Sequence, residues 1–372
     1  MHIGVPKEIK IHEYRVGLVP GSVRELIHHG HKVSVETGAG MGVGIEDSEY
    51  TKVGATIVGT AKEIFDTVDM VVKVKEPQPE ECAMLREGQI LFTYLHLAAD
   101  EAQTKALIDS KCIAIAYETV TDNAGRLPLL APMSEVAGRM SVQVGAHYLE
   151  KEQGGAGILL GGVPGVPAAN VVVVGGGVSG TNAARMAMGM EAKVTVIDKS
   201  LDRLTTLDMQ FGPTLNTIYS TVDNLEQYVS DADLVVGAVL VPGAAAPKVI
   251  TREIVKSMRP GSVFVDIAID QGGCSETSKP TSHSDPVYTV DGVVHYCVTN
   301  MPGAVARSST FALNNATLPF AVQLANSGYR EALANNPNLA NGLNIHAGRV
   351  TYKAVAKTFD LEYVPTEEAL RL

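Results

Sequence analysis

Short apolar runs alternate with amphipathic segments along the chain, and this alternation predicts the elements of the fold. In the first third, runs rich in valine and isoleucine lie at 33–36, 70–74, 90–94 and 113–117. The segments between them, such as 22–29 and 102–108, have helical spacing. Strands that alternate with helices are typical of βαβ units, so this part predicts an α/β unit with a parallel sheet.

A second series of apolar runs follows a glycine-rich turn. Buried strands are predicted at 171–174, 193–197, 217–220, 234–236, 263–267 and 296–298. The helices between them are predicted at 178–190, 202–210, 224–229 and 252–258. This series predicts a complete doubly wound domain.

The glycine-rich turn has the spacing GxGxxG, with Gly175, Gly177 and Gly180 directly after one strand and at the start of a helix. Such a turn brings backbone amides to the pyrophosphate of a dinucleotide. Asp198 ends the next strand, 18 residues after Gly180, close to the roughly 20 that the motif expects. A carboxylate there accepts ribose hydroxyls and favours NAD. Arg203 could instead receive the 2′-phosphate of NADP, but we give the aspartate more weight.

The remaining pattern defines the domain organisation. Residues 133–153 form a long helical pattern between a proline and two glycines, and the chain after Arg307 has helical spacing without further strands. We predict an α/β fold of two Rossmann-like, doubly wound parallel-sheet domains, joined by the helix at 133–153 and separated by a cleft. Residues 1–130 with 307–372 would form the substrate domain, and 131–306 the NAD-binding domain.

Composition excludes several classes of protein. The 30 Lys and Arg against 41 Asp and Glu give a net charge of −11, which argues against nucleic acid and anionic membranes as partners. The glycines and prolines in the charge-free segment 154–184 argue against a membrane span. The four cysteines have no metal or disulfide spacing, so we expect no metal site and a reducing compartment. The N-terminus has no apolar signal segment, which favours a cytoplasmic protein.

Candidate catalytic groups stand where strands end, since ligands of parallel sheets bind at the carboxyl ends of strands. Lys75, His96 and Asp270 each follow an apolar run, and Arg15 lies in the loop after the first strand. Each has a structural alternative: a solvated charge for the cations, a structural role for the histidine and a turn cap for the aspartate. Lys73 competes with Lys75, because strand alternation puts both on one face.

Several segments together resemble the alanine dehydrogenase and transhydrogenase family, in particular bacterial alanine dehydrogenases. They are GVPKE at 4–8, EYRVGLVP at 13–20, VKVKEP at 72–77, TYLHL at 93–97, APMSE at 131–135, the GxGxxG turn, DIAIDQGG at 266–273 and TNMPG at 299–303. These segments cover nearly the whole chain without a large insertion.

The resemblance implies roles for the candidates. Arg15 would bind the substrate carboxylate, Lys75 would hold and polarise the carbonyl or carboxylate oxygen, and His96 would be the general acid and base. Asp270 would orient substrate and water and assist proton transfer. Tyr94 and Met133 would line a pocket that fits a methyl side chain.

The resemblance also implies an NAD site, a reaction and an assembly. Besides the glycines, the implied cofactor contacts are Ser134, Val178, Ser179, Asp198, Arg203, Ser220, Val239, Leu240, Ile267, Lys279, Asn300 and Met301; Lys279 stands where relatives often have arginine. The reaction would be reversible oxidative deamination of L-alanine with NAD⁺ and water to pyruvate, ammonium and NADH. The family forms hexamers, so a homohexamer is expected.

Other functions remain as alternatives. The NAD(H)-binding subunit of a proton-translocating transhydrogenase shares the fold and the opening signature, but in our interpretation it lacks the equivalents of Lys75, His96 and Asp270. Saccharopine-type and lysine-forming dehydrogenases need room for longer substrates. A crystallin-like NAD-binding protein would not need the acid and base groups that this chain has.

Overall fold

The computed structural model describes residues 1–239 and 246–371, and the chain divides into two units. The first consists of Met1–Met133 and the chain from Val305 onwards, and the second of Ser134–Ala304. The strands, numbered in chain order, are β1 His2–Val5, β2 Lys32–Glu36, β3 Thr56–Val58, β4 Met70–Val72, β5 Ile90–Thr93, β6 Ile113–Ala116, β7 Asn170–Val174, β8 Lys193–Asp198, β9 Leu215–Tyr219, β10 Leu234–Gly237, β11 Val263–Asp266, β12 Val287–Val290, β13 Val293–Tyr296, β14 Leu343–His346 and β15 Arg349–Val350.

The α-helices connect these strands and lie outside the sheets. In chain order they are α1 Pro20–His28, α2 Asp47–Lys52, α3 Ala61–Thr67, α4 Pro79–Cys82, α5 Glu101–Ser110, α6 Ala131–Tyr148, α7 Val178–Gly189, α8 Leu201–Phe211, α9 Val222–Ser230, α10 Arg252–Ser257, α11 Ala306–Asn335, α12 Pro337–Ala340, α13 Lys353–Phe359 and α14 Thr366–Ala369. Helix α11 is interrupted at Gly328, where the backbone is not helical. No helix within residues 1–239 and 246–371 is long and apolar enough to cross a membrane.

The first unit has one sheet with the strand order β15-β14-β6-β5-β4-β1-β2-β3. Strands β1 to β6 pair in parallel, whereas β14 pairs antiparallel with β6. The prediction that the chain after Arg307 has no strands is therefore wrong. The apolar pattern does not predict β14, because two of its four residues, Asn344 and His346, are polar. Both are buried because they are hydrogen-bonded: Asn344 donates to Thr119 (2.8 Å), and His346 bonds Tyr329 (3.2 Å).

The second unit has a sheet with the order β12-β13-β11-β10-β7-β8-β9. All neighbours pair in parallel except β12 and β13, which form an antiparallel hairpin. The last strand lies at Val293–Tyr296 instead of the predicted 296–298, because Asp291 and Gly292 turn the chain with positive φ just before it. The prediction of an α/β fold with two mostly parallel sheets is confirmed.

Helix α6 begins in the first unit and continues into the second. It ends at Tyr148, so the predicted end at 153 is wrong. The backbone of Glu150 is extended, and a short 3-10 helix at Lys151–Gln153 leads to Gly154 in the left-handed conformation. The α-helix thus ends six residues before Gly154, the first of the glycines that the sequence pattern predicts as its end.

Each unit has its own apolar core between its sheet and its helices. In the first unit, Ile64 of α3, Leu91 of β5 and Leu107 of α5 are buried together. In the second, Val172 of β7 and Phe264 of β11 pack in a comparable cluster. These cores fix the strand ends from which the candidate site residues extend.

Candidate active site

The first group of site residues lies at the carboxyl edge of the first sheet. Strands β6, β5, β4 and β1 are neighbours in that order and run parallel. Arg15 lies in the loop after β1, Lys75 follows β4, and Tyr94 and His96 follow β5. Four of the predicted residues therefore extend from the same edge of one sheet.

Arg15 is buried and is held by the carboxylate of Glu13. One oxygen of Glu13 accepts from the backbone amide and Nε of Arg15 (3.1 and 2.7 Å), and the other accepts from Nη2 (2.6 Å). Nη1 donates to the sulfur of Met133 at 3.1 Å, which places two predicted substrate residues in contact. Burial opposes the charge of Glu13, but the hydrogen bonds and charge of Arg15 outweigh it and lower the pKa of Glu13 to about 2.

The two lysines after β4 differ in their surroundings. Lys73 is fully buried, and its Nζ lies 3.1 Å from Glu8 Oε2 and 2.7 Å from Glu81 Oε1. Lys75 is half-buried, and its charge acts on Glu13 beside Arg15. The chain leaves the regular strand after Val72, so the alternation that predicted a shared face does not continue. Of the two lysines, Lys75 is the one next to the Arg15 site.

His96 is held in an uncommon backbone conformation. Its φ is 51° and its ψ 37°, the left-handed region that non-glycine residues rarely adopt. Its backbone amide donates to Glu118 Oε1 at 2.6 Å, and Nδ1 lies 3.9 Å from the same oxygen. The imidazole stacks on the ring of Tyr94 with centroids 5.8 Å apart. The hydroxyl of the buried Tyr94 donates to Leu129 O at 2.5 Å, so a fixed ring supports His96.

The second group of predicted residues surrounds the glycine-rich turn after β7. Gly175 has φ +103°, and a Cβ on Gly180 would lie 1.8 Å from the carbonyl oxygen of Gly175, so neither position accepts a side chain without a shift. A Cβ on Gly177, in contrast, would meet no atom within 4 Å. The open space beside Gly177, at the N-terminus of α7, fits a pyrophosphate bound by backbone amides.

Asp198 and Arg203 both contact this turn. The two oxygens of Asp198 accept from the amides of Gly176 (2.6 Å) and Ser200 (2.8 Å). Arg203 donates from Nε to the carbonyl oxygen of Gly176 and from Nη2 to Thr181 Oγ1, both at 2.5 Å. The carboxylate therefore lies at the end of β8 beside the turn, and the guanidinium is engaged by the turn itself.

The other predicted cofactor residues in the second unit mostly lie at neighbouring strand ends. Val178 and Ser179 are in the first turn of α7, Ser134 is in α6, Ser220 follows β9, Val239 follows β10, Ile267 follows β11, and Asn300 and Met301 follow β13. Leu240 lies outside the described residues. Lys279 is in the loop before β12, and its amide donates to the hydroxyl of Tyr288.

Asp270 lies in the 3-10 helix Ile267–Gln271 of the second unit, not in the first unit with His96. Its side chain is exposed, and Oδ1 accepts from the amide of Asn300 at 3.4 Å. Within the part of the chain that the structure describes, no group of three or more His, Cys, Asp or Glu side chains could hold a metal ion.

Comparison with known proteins now identifies the family. The model "Alanine dehydrogenase/PNT, N-terminal domain" matches residues 4–137, and the model of the C-terminal domain matches 141–353. The chain belongs to the alanine dehydrogenase/PNT family. The resemblance predicted from the sequence is confirmed.

Individual members of this family are similar over the full length. An alanine dehydrogenase of Halomonas elongata is 61% identical over 98% of each chain. A solved L-alanine dehydrogenase is 53% identical, with a TM-score of 0.94 over 97% of this chain and 99% of that one. A transhydrogenase from Sinorhizobium meliloti is 26% identical, with a TM-score of 0.80 over 95% and 100% of the two chains.

Sequence reasoning missed the carboxylates that bind Arg15, His96 and Lys73. Glu13 stands two residues before Arg15 in the segment 13–20, but nothing in the apolar pattern distinguishes it as the partner of Arg15. Glu118 follows the apolar run of β6, so the rule that selected Lys75 and His96 at strand ends could have found it. Glu8 gave no such signal, because its partner Lys73 is 65 residues away.

Proposed function

We propose that the chain is an NAD-dependent L-alanine dehydrogenase, which converts L-alanine, NAD⁺ and water reversibly to pyruvate, ammonium and NADH. The observation that carries this proposal is the 61% identity, over 98% of each chain, with a relative named alanine dehydrogenase. Membership of the family implies a nicotinamide cofactor. The choice of NAD is supported by Asp198 beside the glycine-rich turn and by the bonds that hold Arg203 to that turn.

The first unit would bind and polarise the substrate. Arg15 would receive the carboxylate, because a guanidinium already oriented by Glu13 donates without further ordering. Lys75 would bind the oxygen that becomes the carbonyl of pyruvate and stabilise its developing charge. Met133 and Tyr94 are buried beside Arg15, and they would limit the substrate side chain to about the size of a methyl group.

Proton transfer would use His96 and Asp270. When bound, the nicotinamide accepts the hydride from the α-carbon. His96 would take a proton from the water that attacks the resulting iminium carbon, and would then return it so that ammonia can leave. Imidazole can do both near neutral pH. Asp270 would orient the substrate and the water.

The assembly and compartment are further parts of the proposal. We propose a homohexamer in the cytoplasm. The hairpin around Val163 and Val166 exposes both valines together with Leu159, and such an apolar patch supports association. The four cysteines are buried and free, which supports a reducing compartment.

The direct test is the absorbance of reduced nicotinamide when the purified chain is mixed with L-alanine and NAD⁺. We expect rapid reduction with this pair, much slower reduction with serine, valine or lysine, and far slower reduction when NADP⁺ replaces NAD⁺. The reverse reaction should require both pyruvate and ammonium. If NADH binds tightly but no amino acid is oxidised, the dehydrogenase proposal is wrong, and a transhydrogenase-type nucleotide module becomes the better interpretation.

A further inference from the structure

A buried cluster of charges that the proposed mechanism does not use contacts the loop 73–78 of the first unit, which carries Lys75. It consists of Lys73, Glu8 and Glu81, called here the Lys73 cluster; their side chains are 0%, 2% and 1% exposed. The ammonium lies between the two carboxylates, 3.1 Å from Glu8 and 2.7 Å from Glu81. Burying three charges is costly, and the attraction between them offsets this only when the geometry is good.

Each glutamate of the cluster uses its second oxygen to hold the backbone of the loop 73–78. Glu8 Oε1 accepts from the amide of Val74 at 2.7 Å and from the amide of Lys75 at 3.4 Å. Glu81 Oε2 accepts from the amide of Gln78 at 2.8 Å, where α4 begins. The loop is therefore bound on both sides of Lys75 by carboxylates that the same ammonium holds in place.

A third contact completes the fixation of Lys75. The hydroxyl of Thr93, at the end of β5, donates to the carbonyl oxygen of Lys75 at 2.9 Å. Both backbone polar groups of Lys75 thus have side-chain partners, although the residue lies outside a regular element. Such fixation sets the point of the backbone from which the Lys75 side chain extends.

Stability alone is a poor explanation for this cluster. A buried ion pair or triad contributes little net stability compared with well-packed apolar side chains of the same volume. Burial raises the pKa of Glu8, whereas the two carboxylates raise the pKa of Lys73 against the effect of its own burial. The ammonium therefore remains protonated and keeps both carboxylates oriented.

We propose that Glu8 is a positioning residue for substrate binding: with Lys73 and Glu81, it holds the backbone at Lys75 so that the Lys75 ammonium meets the substrate oxygen. This inference rests on the proposed function, in which Lys75 binds that oxygen. In this proposal Glu8 itself contacts neither substrate nor cofactor. Its effect on the reaction passes through the amides of Val74 and Lys75.

The test compares Glu8→Ala with the double variant Glu8→Gln/Lys73→Met. Alanine removes the acceptor for both amides. In the double variant, the amide oxygen of glutamine can still accept from the amide of Val74, and no unpaired ammonium remains. A merely electrostatic role would be repaired equally well by Glu8→Ala/Lys73→Met, which also leaves no unpaired ammonium but supplies no acceptor for the amides of Val74 and Lys75; we expect that variant to remain as impaired as Glu8→Ala.

In Glu8→Ala we expect kcat/KM for pyruvate to fall by on the order of 100-fold, because a small misplacement of a binding group has such effects. The KM for NADH should not change, and the double variant should recover most of the activity. Gln89→Leu is the control: Gln89 is equally buried at the amino end of β5 and donates to Phe65 and Val68. Gln89→Leu should lower the stability of the protein without a selective fall in kcat/KM for pyruvate. An equal loss in this control, or no rescue in the double variant, would overturn the proposal.

Amide hydrogen exchange of the segment 73–78 gives a readout that needs no activity. Exchange should become roughly tenfold faster or more in Glu8→Ala, because a hydrogen-bonded amide is released, but not in the double variant or in Gln89→Leu. Unchanged exchange in Glu8→Ala would overturn the proposal even if activity fell. If the unsubstituted chain acts on no amino acid, the proposed function fails, whereas the exchange rates still decide whether Glu8 holds this loop.

Discussion

The two candidate binding regions are built in different ways: the substrate region around Arg15 and His96, and the nucleotide region around the glycine-rich turn. At the edge of the first sheet, carboxylates hold the charged residues: Glu13 binds Arg15, and Glu118 binds the amide of His96. At the edge of the second sheet, the shape of the backbone at the glycines forms the candidate binding region. Gly180 lets the chain approach Gly175 so closely that no side chain fits, and Gly177 leaves open space.

This difference determines what each region tolerates. A cation taken out of water needs its partner, so the substrate region should be sensitive to the loss of single charges. The nucleotide region depends on space at the turn, so it should be sensitive to single methyl groups.

Substitution of His96 should have the largest effect. In His96→Ala, kcat should fall by about 10²- to 10⁴-fold, since that is the range that a positioned acid and base contributes. NADH affinity should remain near normal, because the glycine-rich turn is in the other unit. Steady-state reduction of pyruvate and NADH fluorescence titration measure the two quantities. His147→Ala, at an exposed histidine near the end of α6, is the control. Unchanged turnover in His96→Ala would remove His96 from its proposed role.

Glu13 should give the first unit a pH-dependent stability. Its pKa falls from the usual 4.5 to about 2 on folding, so its contribution is complete above about pH 4.5 and is lost as the pH falls toward 2. The difference corresponds to about 3 kcal/mol. Urea unfolding of Glu13→Gln should therefore show a free energy of unfolding lower by about that amount at neutral pH, and the deficit should shrink in acid.

An exposed ion pair provides the comparison for Glu13. Asp122 is bound to Arg126 on the surface, where such pairs contribute little. Asp122→Asn should therefore lower the free energy of unfolding much less than Glu13→Gln does. Equal effects of the two substitutions, or a deficit in Glu13→Gln that does not depend on pH, would contradict the importance of charge burial in the substrate region.

The nucleotide region should respond to methyl groups according to the space at each glycine. Gly180→Ala places its methyl 1.8 Å from a carbonyl oxygen, and the shift that follows should weaken NADH binding by about 10- to 100-fold and lower the melting temperature. In Gly177→Ala the turn should stay intact, so a loss of NADH affinity without a loss of stability would locate the pyrophosphate. Gly189→Ala, at the end of α7 with open space around it, should change neither. A stable Gly180→Ala variant with normal affinity would contradict the geometry.

The same contrast explains what could be predicted from the sequence. The glycines and Asp198 follow one another within a short segment, so local spacing was enough to predict that they lie together. The strand-end rule selected Lys75 and His96 because parallel strands end at one edge. Spacing could not tell which of Lys73 and Lys75 is buried, since that depends on Glu8 and on the place where the strand ends. Long-range charge pairs leave no periodic signal in a single sequence.

The smallest expected effect concerns the choice between NAD and NADP. Asp198→Asn removes the charge that would repel a 2′-phosphate but keeps an oxygen that can accept from the amide of Gly176. We expect the preference for NAD⁺ over NADP⁺, measured as the ratio of kcat/KM values, to fall by about tenfold, which corresponds to about 1.4 kcal/mol. Asp202→Asn, in the first turn of α8, is the control and should leave the ratio unchanged.

The loss of preference for NAD⁺ in Asp198→Asn should stop short of a reversal, because Arg203 would have to release Gly176 and Thr181 to bind the 2′-phosphate. A complete reversal would mean that these two bonds do not restrain the guanidinium, and an unchanged ratio would mean that another group distinguishes the two cofactors.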